Sequence, residues 1–412
     1  LSDHALTDFA GPLREALHQG KALVLLDGLD EVPTRELRAL VRDAVDDFAR
    51  TYHQSRVLVS CRTLSYQDPA WQLDLIQFPN FELAPFDEKK IYRFIDAWYA
   101  ELAELRVVES KDAEPLADKL RQAVRRPDLW RLAPIPLLLT VMALVHAHKG
   151  RLPEGRALLY EECTDLLLWR WEQVKWQADA ERAPGLREFL DRAGMQAVDL
   201  KGALWELAFE AHSEIGGEDD QEAIADIAEV RLLRVLRELH PDRSWDWASL
   251  VVGQVKERAG LLLEREPEIY SFPHRTFQEY LAGCYLSVQA DFPQRAAALL
   301  AEAAFWREVV LLAVGRQVHV SGEVARPLAL AAELCPGEAP ADEEGWRGAW
   351  LAGEVLLETG LERTARTGLG RDLLGRIRGR LAALVDGGHL APRERAEAGD
   401  VLGKLGDRRP GV

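Results

Sequence analysis

Four consecutive branched apolar residues, Leu23-Val24-Leu25-Leu26, run directly into Asp27-Gly28-Leu29-Asp30-Glu31. An uninterrupted apolar run bounded by a turn signal reads as a strand covered on both faces, the kind that parallel sheets use. Its carboxyl end carries three carboxylates, and the ligands of open α/β sheets sit at that end. A second run, Arg56-Val57-Leu58-Val59-Ser60-Cys61-Arg62, repeats the pattern with a hydroxyl and a guanidinium at its end. Between the two, Thr34 is placed to cap a helix whose apolar residues Leu37, Leu40, Val41, Ala44, Val45 and Phe48 recur at the helical period. Strand, helix and strand in this order predict a parallel α/β layer. A third short strand is expected at Phe81-Glu82-Leu83, ahead of Pro85.

Carboxylate oxygens suit a hard cation such as Mg²⁺, which keeps waters that bridge to phosphates. Asp27 is therefore expected to hold a metal, directly or through water. Asp30 or Glu31 could then polarise an attacking water, and Arg62 beside them would neutralise a γ-phosphate. Gly28 lets the chain turn closely past a ligand. A solvated acidic turn is the plain alternative, and three carboxylates after an apolar strand argue against it. For Arg62, an ion pair with Asp30 or Glu31 is an equal contender.

From Asp87 onward the apolar period becomes helical. Asp87 caps a helix carrying Ile91, Phe94, Ile95 and Trp98, and further helices are expected near 112–125, 136–148, 154–178, 195–212, 220–239 and 245–259. Strand signals return only at 260–264 and 269–272, separated by a short charged turn, which suggests a winged-helix module ending near residue 290. In the last third, glycines 315, 360 and 406 follow helix-like segments at spacings of 45 and 46 residues. That period suits HEAT-like helical pairs, although glycine also stops helices that do not repeat.

With 412 residues, 48% of them hydrophobic and 29% charged, the chain is long and apolar enough for several folded domains. A net charge of −17 repels polyphosphate backbones and argues against broad nucleic-acid binding. The four cysteines are far apart, without a C-x-x-C pair, which indicates neither a disulfide framework nor a zinc site and fits reduced thiols in a cytoplasm. The longest apolar stretch, 135–145, falls short of the roughly 20 residues a membrane helix needs. His146 and His148 lie at i and i+2 of a helix, so they point to different sides and are not expected to share a metal. Trp169, Trp171 and Trp176 read as core residues. The first residue is Leu1 rather than Met, and the chain reads as an excerpt from a longer polypeptide.

LVLLDGLDE followed by VLVSCR resembles the Walker B and sensor 1 strands of bacterial NACHT-type STAND NTPases, relatives of the NOD-like receptors. The resemblance continues through 81–86 (FELAPF), 132–139 (LAPIPLLL), Leu152-Pro153 and Leu159-Tyr160-Glu161. It ends in 271–281 (SFPHRTFQEYL), which is similar to the family's winged-helix signature. It implies a partial P-loop NTPase sheet over 1–86, a helical domain over 87–152, a winged-helix domain over 153–290 and a helical arm over 291–412. The fold class is thus α/β followed by mostly α. The tail resembles the segment that precedes a formylglycine-generating-enzyme-like domain in some family members.

Carried over residue by residue, the resemblance implies that Asp27 serves Mg²⁺, that Asp30 and Glu31 flank the hydrolytic water, and that Arg62 is sensor 1. Pro136 would pack on adenine, and His274 would reach the β-phosphate of bound ADP to lock the inactive state. The implied activity is a switch between ADP and ATP states with slow hydrolysis. It would convert a protein or phage-derived ligand, sensed through a C-terminal region, into self-oligomerisation and effector activation in antiphage defence.

Two departures stand out. Ile135 occupies a position where many relatives have Asn, and no G-x-x-x-x-G-K-[ST] phosphate loop occurs in the 412 residues. The loop is expected upstream of Leu1, and the excerpt alone is expected to be inactive and to fold poorly. The alternatives are a non-hydrolysing helical scaffold with a degenerate nucleotide fold, or a metal-dependent nuclease or phosphatase built on Asp27, Asp30 and Glu31. A DNA-reading winged helix is disfavoured because the helix from Arg275 to Val288 offers only Arg275 as a basic residue.

Overall fold

The structure is a computed structural model describing residues 9–29, 32, 35–61, 66, 72–74, 76–130, 132–153, 155–169, 186–214, 225–255, 261–266, 268–272, 274–302, 304–407 and 409. The chain divides into two compact units. One comprises Leu1–Pro85, Ile227–Val230 and Leu263–Ser271; the other comprises Phe86–Asp226, Arg231–Leu262 and Phe272–Val412.

In the first unit, α1 (Ala10–His18) leads to β1 (Leu23–Leu26), α2 (Arg35–Thr51) and β2 (Arg56–Val59). β1 and β2 pair in parallel, in register from Leu23 opposite Arg56 to Leu26 opposite Val59. Leu29, Val45 and Leu73 form the buried centre, with Leu26, Val41, Val59 and Phe78 packed around it. The apolar side of α2 therefore covers one sheet face, as its helical period requires. The other face is open among the described residues: Leu23, Leu25 and Leu58 are 62%, 63% and 62% exposed. Coverage on both faces, expected from the apolar runs, is not seen among the described residues. Among the described residues its parallel sheet has two strands.

Phe81-Glu82-Leu83 is not a strand. Phe81 and Leu83 are almost fully exposed and no ladder bond among the described residues reaches them. β propensity without a neighbouring backbone to bond does not make a strand.

A three-stranded antiparallel sheet has the order β3-β5-β4, from β3 (Ile227–Ala228), β4 (Leu263–Glu266) and β5 (Ile269–Ser271). The hairpin of β4 and β5 follows the sequence signals, with Glu268 in its turn at φ 64°. β3 interrupts a segment read as helix from residue 220. Two residues are too short to carry a strand period, and the helix starts only at Glu229.

The second unit is helical: α3 (Glu88–Glu104), α4 (Ser110–Val124), α5 (Pro127–Trp130), α6 (Pro136–Lys149), α7 (Arg156–Trp169), α8 (Leu186–Arg192), α9 (Ala197–Glu214), α10 (Glu229–Leu239), α11 (Trp245–Gln254), α12 (Arg275–Ser287), α13 (Phe292–Glu302), α14 (Arg307–His319), α15 (Ala325–Leu334), α16 (Glu343–Thr359), α17 (Leu361–Ala365), α18 (Gly368–Gly387) and α19 (Pro392–Leu405). The division between units assigns the first two residues of α10 to the first unit. Asp87 caps α3 by accepting the Lys90 N–H at 2.8 Å. Ile91, Ile95 and Tyr99 form the buried stripe of that helix. His146 is buried against the Tyr99 hydroxyl while His148 is exposed. From α13 to α19 the helices pack on neighbours in chain order.

The glycine spacing has mixed origins. Gly360 and Gly406 follow α16 and α19 as C-caps with φ of 90° and 95°. Gly315 lies inside α14 instead. A Cβ there would come within 2.5 Å of Glu358 Oε1 and 3.1 Å of Ala157 Cβ, so Gly315 allows a close approach and does not stop the helix.

Candidate functional site

The parallel register sets Asp27 and Ser60 side by side, each the first residue after its strand. Two backbone bonds of 2.9 Å extend the pairing beyond the strand ends. The Ser60 N–H donates to the Leu26 carbonyl, and the Leu29 N–H donates to the Ser60 carbonyl. Gly28 turns the chain at φ 75°, a left-handed conformation that glycine adopts freely. Its N–H then reaches Ser60 Oγ at 2.9 Å. The Ser60 hydroxyl in turn donates to Asp27 Oδ1.

Asp27 is exposed, and its Oδ2 makes no bond to the described residues. The result is a carboxylate at the carboxyl end of a parallel strand, with one oxygen held and the other unbonded among the described residues. The bond from Ser60 was not foreseen in the sequence, although its place at the end of the neighbouring strand was the available signal. Asp30, Glu31 and Arg62 lie outside the described residues, as does Thr34.

Pro136 and His274 belong to the second unit. Pro136 is the exposed first residue of α6. Proline suits that position because its missing N–H would have no helical partner and its φ is already helical. Ile135 precedes it in extended backbone at φ −89° and ψ 112°, without a side-chain cap.

His274 caps α12. Its Nδ1 accepts the Thr276 N–H at 3.2 Å and lies 3.0 Å from the Thr276 hydroxyl. A nitrogen that accepts a backbone N–H carries no proton, so the ring proton resides on Nε2. Burial, and then the neighbouring Arg275 charge, lowers the pKa of His274 and favours this neutral form.

Behind the cap lies a paired set of buried charges. Arg275 Nε donates to Glu279 Oε1 at 2.7 Å. Glu279 is 5% exposed, and burial pushes its carboxyl up to about 7. Arg156 pairs with Glu308 of α14 and with Glu358 of α16, the latter at 3.4 Å. Glu161 accepts from Lys201 at 2.8 Å and from the Tyr280 hydroxyl. Gln278, fully buried, accepts the Ala225 N–H at 3.1 Å and lies 3.2 Å from His212 Nδ1. Each polar residue of the HRTFQEYL stretch thus has a structural partner, as buried charges and amides require.

Residues 156–286 match the family model of the winged helix-turn-helix domain C-terminal to NACHT. They form a NACHT-associated winged helix domain. The match begins at the first residue of α7 and ends within α12, one residue before its last. No curated protein matches the chain.

Within this winged helix domain, α11 carries Asp246 and no Lys or Arg, while α12 carries Arg275, which is engaged with Glu279. Neither helix offers a basic face for phosphate backbones. Among the described residues no helix is long and apolar enough to cross a membrane, and no cluster of three His, Cys, Asp or Glu residues forms a metal site.

Proposed function

We propose that the chain is the central part of a nucleotide-dependent switch of the NACHT-type STAND NTPase kind. The observation that carries this reading is the winged helix domain of residues 156–286 following, in chain order, a parallel strand-helix-strand unit whose first strand is followed directly by Asp27. In this reading residues 1–86 are the second half of the nucleotide-binding domain, 87–152 a helical domain, 153–290 the winged-helix domain and 291–412 the arm.

Two observations support a fit to Mg²⁺ and nucleotide. The Asp27 carboxylate is exposed, and its Oδ2 makes no bond to the described residues, which suits a metal-bound water. His274 is fixed as a neutral ring whose Nε2–H is the remaining donor, which suits a phosphate oxygen. In this reading Asp27 would serve Mg²⁺, Asp30 and Glu31 would act on the hydrolytic water and Arg62 on the terminal phosphate, while Pro136 would hold adenine and His274 would supply a donor to the β-phosphate of ADP. A bound nucleotide supplies the phosphate charge that these groups recognise and, as ATP, the bond that is cleaved.

The switch needs different affinities for ADP and ATP in two conformations rather than rapid turnover. ADP holds the closed state. A protein or phage-derived ligand sensed through a C-terminal region favours opening, exchange for ATP, self-oligomerisation and effector activation in antiphage defence. Hydrolysis is slow and resets the system.

The test is a thermal shift of the protein, expressed with its natural flanking sequence, with and without MgADP. The reading expects a rise in melting temperature that Asp27→Ala abolishes. Indifference of the native protein to nucleotide would favour the helical scaffold instead.

A further inference from the structure

We infer that Ser60 is the positioning residue for Asp27, holding its carboxylate in the orientation a metal requires. The inference rests on the reading of Asp27 as the carboxylate that serves Mg²⁺. The direction of the bonds is fixed by chemistry. The Gly28 N–H, 2.9 Å from Ser60 Oγ, can only donate. The single hydroxyl proton of Ser60 then goes to Asp27 Oδ1. Each bond in such a chain polarises the next, so the backbone amide strengthens the grip on the carboxylate.

Ser60 is itself held through its own N–H and carbonyl, each bonded at 2.9 Å to the chain around Asp27. Its hydroxyl therefore starts from a fixed point, whereas Asp27 is exposed and has no other side-chain partner among the described residues. Without Ser60 the carboxylate would rotate freely in water. With it, Oδ1 is committed and Oδ2 is left for the metal or its water. Gly28 belongs to the same device, because its φ of 75° brings its N–H within reach of the hydroxyl. Partners that orient a metal-serving group typically contribute 10–100-fold in metal affinity.

The test is the Mg²⁺ dependence of binding of a fluorescent ATP analogue by the protein with its natural flanking sequence. Ser60→Ala is expected to raise the Mg²⁺ concentration for half-maximal binding about 10–100-fold, while affinity in EDTA stays unchanged. Ser60→Thr, which keeps the hydroxyl, restores the native titration. A purely structural loss would lower binding in EDTA as well.

A Ser60→Ala titration matching the native one would overturn the inference. In that event Asp27→Asn locates the failure. If it shifts the Mg²⁺ requirement, only the role of Ser60 falls; if it does not, the metal reading of Asp27 falls too. Should Ser60→Ala fail to fold, Ser60→Cys, with its weak S–H donor, replaces it. Equal Mg²⁺ requirements for Cys and Thr variants would overturn the inference.

Discussion

Arg275 and Glu279 are bound at 2.7 Å one turn apart on α12, directly after the His274 cap. Burial raises the Glu279 carboxyl to about 7; Arg275 and Arg156 oppose the shift and Glu308 adds to it. A raised carboxyl takes up protons on folding. Its contribution is complete below pH 4.5 and lost as pH rises through 7.

His146 and His212 do the reverse. Burial first, then Lys119 for His146 and Arg275 for His212, lowers both to about 4. Their contributions are complete above pH 6.5 and lost as pH falls through 4. Between these limits two histidines outweigh one carboxyl, so stability is predicted to rise with pH by on the order of 1 kcal/mol per pH unit. Glu279→Gln removes the opposing group and should steepen that rise in urea titrations between pH 5 and 6.5. An unchanged slope would contradict the raised carboxyl.

Arg156 holds together carboxylates from α14 and α16, Glu308 and Glu358, with its own side chain 9% exposed. Arg156→Ala leaves both without their guanidinium and should cost about 3–5 kcal/mol in urea unfolding. Glu358→Gln retains an acceptor and leaves Glu308 in place, so its cost should be nearer 1 kcal/mol. Equal small effects would show that the three groups are solvated independently.

Gly315 and Gly379 form a paired test of packing. At Gly315 an added Cβ meets Glu358 Oε1 at 2.5 Å and Ala157 Cβ at 3.1 Å, whereas at Gly379 in α18 it meets nothing within 4 Å. Gly315→Ala should destabilise by about 1–3 kcal/mol. Gly379→Ala should stabilise by about 0.4–1 kcal/mol through the unfolded chain. Thermal melts of the two variants should move in opposite directions.

The strand pair and the place of Asp27 at its end were legible because an apolar run ending in carboxylates is a local pattern. The hairpin and most helix starts were legible for the same reason, with Asp87 as the clearest cap. What escaped was non-local. Phe81–Leu83 has the composition of a strand without a partner, and Ile227–Ala228 is a strand only because Tyr270 and Ile269 lie opposite. Gly315 looked like a helix stop, yet its role depends on Glu358. Arg156 and Glu308 are 152 positions apart, a separation that no spacing rule connects. Ser60 was visible at its strand end, but its bond to Asp27 depends on the register between strands.

The central claim is that the protein is a nucleotide-binding switch that depends on Asp27 and on His274. The most direct measurement is denaturing extraction of the protein, purified with its natural flanking sequence, followed by chromatography of the released nucleotides. The account predicts stoichiometric ADP that is lost in both Asp27→Ala and His274→Ala. Protein that is folded and free of nucleotide, or that retains ADP in both variants, would contradict it.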